Sequence, residues 1–215
     1  MSVDSGSGED LSGLAADLAE TYEELGLVDV DPLDDWSTRT IVVTMVPLLA
    51  GLSVLQMVSG GVLEVYEDVL LENPSLLVLV PVQIGTAGNL GSIMCSRLST
   101  QLHLGTLEMR ADNPDVRANS GAILALGFTV FVLVGVAAWA IGTVLGGVLT
   151  LVEVLTISLL SGMLLAVIVV VFSLVAVQTS YRLGYNPDDT TIPIVTNVCD
   201  ITGVLILFAV VAVVL

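Results

Sequence analysis

Residues Ala118–Val177 form a run of 60 positions with a single charged side chain, Glu153. Nothing else in the chain constrains its fold as strongly. A soluble domain has no core large enough to hide so long an apolar stretch, whereas a bilayer core about 30 Å thick takes it up as helices of roughly 20 residues each. One helix is too short for the run and three would leave no connections. Two spans of about 25 residues are expected, turning at Gly146-Gly147. Three other segments read the same way. Thr40–Leu63 is 24 residues without a charge, about 36 Å as a helix, and Trp36 precedes it at the depth where tryptophans anchor. Another span covers about Pro74 to Cys95, and the last is Ile192–Leu215. The expected fold is all-α, a polytopic membrane protein with five transmembrane helices.

Arginine placement tests that number independently, because basic residues bias short loops toward the cytoplasm. Arg39 precedes the first span, Arg97, Arg110 and Arg117 lie between the second and third, and Arg182 lies between the fourth and fifth. The other side receives only Glu64, Glu67, Asp68, Glu72 and Glu153. With five spans every base faces one way, giving an N-terminus inside and a C-terminus outside. An even number would scatter them. Residues 1–38 then form an acidic cytoplasmic tail that holds 11 of the 22 acids and no base. Leu11, Leu14, Leu18, Leu25 and Val28 recur there at helical spacings, as one short amphipathic helix would have them. The tail lacks the basic start and early apolar core of a signal peptide. Residues 39–215 form the membrane domain.

Composition removes whole classes of function. The formal charge is −17, and all five bases are arginines. A basic nucleic-acid surface is excluded, as is lysine chemistry. A single histidine and two cysteines argue against histidine triads and zinc fingers. Neither H-E-x-x-H nor G-x-S-x-G occurs, so the chain is not expected to be an enzyme. Cys95 and Cys199 fall in spans, where a thiol acts as a small apolar group.

The informative residues are those a bilayer penalises. Asp200 lies eight residues into the last span, about 12 Å deep, and no Arg or His lies within a span to neutralise it. Pro193, Thr196, Asn197, Asp200 and Gly203 share one helical face by three- and four-residue steps. Pro193 is expected at the helix start, where it removes no hydrogen bond. Oxygen ligands of this kind suit a hard cation such as Mg²⁺. Two other uses of the carboxyl stay open at this point: a protonated group that glues helices, and a proton or sodium carrier in an ion-coupled exporter. The second span holds Pro81, Gly85, Gly88, Gly91, Gln83 and Asn89. Small residues at 85, 88 and 92 permit tight helix contact, but they leave both amides unexplained. A broken, pore-lining helix is expected there.

Together these segments carry a resemblance. Pro81-x-x-x-Gly85-x-x-Gly88-Asn89, followed by Ser96-Arg97-Leu98-Ser99-Thr100 and His103-x-Gly105, resembles the first motif of MgtE-type magnesium transporters and their eukaryotic solute-carrier relatives. Tyr66-Glu67 looks like that family's aromatic-Glu pair, and the arginine distribution puts Glu67 at the outer mouth. Asn186-Pro187-Asp188, then Pro193-x-x-Thr196-x-x-x-Asp200-x-x-Gly203, is similar to its second motif. The resemblance covers about residues 40–215. It implies a multi-pass protein of the cell membrane that conducts divalent cations, with the pore along a subunit interface. Asp200 is then the pore aspartate on a partly hydrated Mg²⁺, helped by Asn89, Asn197 and Thr196, with Pro81, Gly85, Gly88, Pro193 and Gly203 lining the path. The implied partners are a second copy or a sibling half, and lipid. Bacterial relatives gate through a cytoplasmic helical domain and CBS domains, for which a tail of this length would be too short.

Overall fold

The computed structural model describes residues 38–106, 113–183, 185 and 187–215. The acidic tail up to residue 37, with the amphipathic helix expected there, lies outside the described residues. Regular structure among the described residues is entirely helical: α1 (Thr38–Val65), α2 (Glu67–Glu72), α3 (Pro74–His103), α4 (Pro114–Val144), α5 (Leu151–Arg182) and α6 (Pro187–Val214). Five stretches are long and apolar enough to span a bilayer: Met45–Val65, Pro74–His103, Pro114–Val144, Leu151–Arg182 and Thr190–Val214. The chain divides into two compact units. Of the first, Met1–Val46, the described part is the opening of α1. The second, Pro47–Leu215, holds all that follows.

The 60-residue apolar run is two helices, and the turn between them explains its one charge. α4 ends as Gly147 N–H closes on the carbonyl of Gly142 at 2.8 Å. Gly146 there adopts φ +88°, a left-handed conformation that side chains with a Cβ disfavour. α5 then opens with a capping box. The Thr150 backbone N–H donates to Glu153 Oε2 at 2.7 Å, and Glu153 N–H donates back to Thr150 Oγ1 at 3.3 Å. Glu153 is a helix start, not a charge inside the membrane.

Two expectations are corrected. α3 is not broken at Pro81 or its glycines; it runs continuously from Pro74 to His103. Pro81 removes only the bond its own N–H would give to residue 77. In hydrocarbon any further break would leave unpaired backbone groups, so the helix closes around the defect. Pro193 is likewise inside its helix, because α6 begins six residues earlier at Pro187. It therefore does remove one helical bond, the one to the carbonyl of residue 189.

Within the second unit α3 and α5 pack on each other, and each also packs on α4 and α6. Glycines set the closest crossings. A methyl group built on Gly142 would lie 1.9 Å from Ser75 Oγ and 2.7 Å from Ser75 Cα, and one on Gly162 would enter the Phe131 ring at 2.4 Å. Side chains fill two apolar clusters along these helices. One is built around Met94, Leu98, Leu165 and Val195. The other is built around Leu76, Leu79, Val204 and Phe208. A buried hydroxyl also ties α5 to α4: Ser158 Oγ donates to the Phe131 carbonyl at 2.8 Å.

Candidate functional site

The site is built where α6 crosses α3. The two run antiparallel: residue 84 meets 203 and residue 91 meets 195. Small residues on either side bring them together. A methyl on Gly91 would sit 2.7 Å from Val195 Cγ1, and one on Gly203 would sit 3.2 Å from both Ile84 Cγ1 and Leu165 Cδ2. Gly88 is also buried, with room for ordinary contact to Thr196 Cγ2 at 3.7 Å. Gly88 and Gly203 thus lie in the crossing. Pro81, Gly85 and Asn89 lie on the exposed face of α3, one turn apart, and nothing stands within 4 Å of the place a Gly85 methyl would take.

On α6 the residues picked out by the bilayer form one half-buried stripe: Pro193, Thr196, Asn197 and Asp200. Two of their polar side chains turn back on the carbonyl of Pro193. Thr196 Oγ1 donates to it at 3.0 Å and Asn197 Nδ2 donates at 2.9 Å. This fixes the Asn197 amide with Oδ1 turned away, buried and without a hydrogen-bond partner. An oxygen held in that state is a ready acceptor. From the antiparallel register, Asn89 stands about one helical turn along the axis from Asp200. Glu67 is exposed at the first residue of α2.

The partner of Asp200 is neutral. Gln56, near the middle of the first span, donates from Nε2 to Asp200 Oδ2, and Ser59 Oγ donates to the Asp200 backbone carbonyl at 3.3 Å. Sequence reasoning passed over both residues. The signal was an amide in an uncharged span, the same anomaly that drew attention to Asn89. Gln83, the other amide of α3, serves the core: its Nε2 donates to Ser161 Oγ at 2.6 Å on the α5 side. At the far end of α3, Arg97 Nε donates to Asn119 Oδ1 at 2.7 Å, and Asn119 Nδ2 donates to Gln101 Oε1 at 2.9 Å. His103 Nδ1 stands 3.0 Å from the Ser99 carbonyl. Arg97, Gln101 and Asn119 tie α3 to α4, while His103 bonds within α3; no group of three or more metal-ligating His, Cys, Asp or Glu side chains occurs among the described residues.

The sequence profile of the MgtE divalent cation transporters matches residues 80–210, the segment that holds the α3–α6 crossing. The magnesium transporter MgtE of Thermus thermophilus is 31% identical over 93% of this chain, which corresponds to 43% of the relative. Solute carrier family 41 member 3 of Rattus norvegicus is 29% identical over 75% of this chain and 36% of the relative. The chain therefore spans less than half the length of either relative.

Proposed function

This chain belongs to the MgtE family of divalent cation transporters, and on that premise we propose that it carries Mg²⁺ across the membrane, with Asp200 as the carboxylate that binds the ion on its way. One observation carries the reading: a half-buried aspartate within a membrane span, whose side-chain partner is a neutral amide. Translocon scales put an aspartate at mid-membrane at about 2.5 to 3.5 kcal/mol. A cation that visits the carboxylate offsets that cost, and an amide does so only in part.

The ligand set favours a hard ion. Asp200 Oδ, the unpartnered Asn197 Oδ1 and the Asn89 amide are all oxygen donors. Mg²⁺ dehydrates reluctantly and keeps several waters, so few direct ligands are needed. The exposed α3 stripe and the half-buried α6 stripe suit a second copy across a two-fold axis, with two Asp200 carboxylates facing one hydrated ion. The ion's charge then keeps both ionised where two bare carboxylates would repel. An inside-negative potential drives a divalent cation inward by roughly 4.6 kcal/mol per 100 mV. Glu67, Asp68 and Glu72 gather cations at the outer mouth.

The test is Mg²⁺ flux into liposomes that hold the purified protein. Flux should follow the membrane potential and fall to the background of empty liposomes in Asp200→Asn, with the protein still assembled. Undiminished flux in that variant overturns the assignment. Flux that ignores voltage but needs an opposed proton or sodium gradient would make the protein a coupled exporter using the same aspartate.

A further inference from the structure

We propose that Gln56 competes with the transported cation for Asp200, so that α1 closes the ion site whenever it is empty. The inference rests on the reading of Asp200 as the ion-binding carboxylate. Its basis is the chemistry of the Gln56 contact. An ionised carboxylate only accepts hydrogen bonds, so the amide must present its N–H₂ group, as it does toward Oδ2. Those hydrogens carry partial positive charge and take up one of the lone-pair sites a cation would use. Two positive groups repel at one oxygen, so Mg²⁺ binds Oδ2 at the expense of the Gln56 hydrogen bond.

The helix that carries Gln56 is suited to let go. No residue of Met45–Val65 is buried, so withdrawing the amide opens no packed core. α1 meets α6 along a single stripe one turn apart. Gln56 and Ser59 bond to Asp200, Val62 and Leu63 lie against the cluster around Phe208, and Tyr66 stacks on the Phe208 ring at 4.1 Å with the planes 8° apart. The aromatic end holds α1 in register while the polar end is free to exchange. Gln56 has the reach for this: a two-carbon stem turns its amide aside without moving the helix. An asparagine at the same place is one methylene shorter.

A competitor built into the protein lowers apparent affinity by the fraction of time it holds the site. A hydrogen bond to a charged group is strong enough for its loss to tighten binding by about tenfold or more. The experiment is calorimetric titration of the purified full-length protein with Mg²⁺, comparing the native chain with Gln56→Leu, Gln56→Asn and Asp200→Asn. Both Gln56 variants should bind Mg²⁺ about tenfold more tightly, and the Mg²⁺ concentration for half-maximal liposome flux should fall by a similar factor. Equal or weaker binding in a folded Gln56 variant overturns the proposal, because it would make the amide a bystander or a ligand. Should the leucine variant fail to fold, the asparagine variant carries the same test. Asp200→Asn should lose binding. If it keeps native affinity, the ion site itself is misassigned, a failure distinct from that of Gln56.

Discussion

At the scale of single residues, the glycines separate into two kinds that the sequence does not distinguish. Gly142 faces backbone: its missing Cβ would stand 2.7 Å from Ser75 Cα, and backbone cannot rotate aside. Gly85 faces open space. Gly142→Ala should therefore lower stability by about 1–3 kcal/mol, the usual penalty for overpacking, seen as a drop in the thermal unfolding midpoint in detergent. Gly85→Ala should leave that midpoint unchanged or raise it slightly, since alanine favours a helix interior. Equal effects at both positions would contradict the packing described here. Asp200 was legible from sequence because a carboxylate in hydrocarbon has no cheap explanation. Gln56 was not, because one neutral amide barely lowers the hydropathy of a span. Its meaning depends on α6, 144 residues further along the chain.

At the scale of elements, length and charge decided almost everything. The spans, the Gly146-Gly147 turn and the all-helical class follow from the thickness of a bilayer and from where charges fall. Helix continuity was less legible. Pro81 and three glycines read as breakers by the habits of water-soluble chains, but no water competes for backbone groups inside a membrane, so α3 stays whole. The same logic gives Glu153 its role. The one charge of the 60-residue apolar run stands beside its turn, where it caps α5. Thr150→Ala removes the hydroxyl that accepts Glu153 N–H, and it should cost about 1 kcal/mol, measurable as a lower unfolding midpoint with Mg²⁺ flux unchanged. A loss of flux without loss of stability would instead give this turn a part in conduction.

At the scale of the whole molecule, the sequence spoke to the number of spans, whereas which surfaces would meet another copy depends on shape. The exposed stripe of Pro81, Gly85 and Asn89 is the surface the two-copy reading uses. Asn89→Cys, with Cys95 and Cys199 replaced by alanine, should form an intermolecular disulfide on mild oxidation in membranes, seen as a dimer band that reducing agent removes. A cysteine at Phe128, exposed on α4, should give none. Cross-linking at Phe128 but not at position 89 would move the interface and the pore with it. The Tyr66–Phe208 stack adds a mechanical consequence. Phe208 sits about two turns beyond Asp200 on one continuous helix, and Tyr66 leads directly into Glu67 and Asp68. A twist of α6 would be passed through that stack to the acidic corner where the chain leaves its first span, so Asp200 and Glu67, if they handle the ion as proposed, would turn on a common shaft.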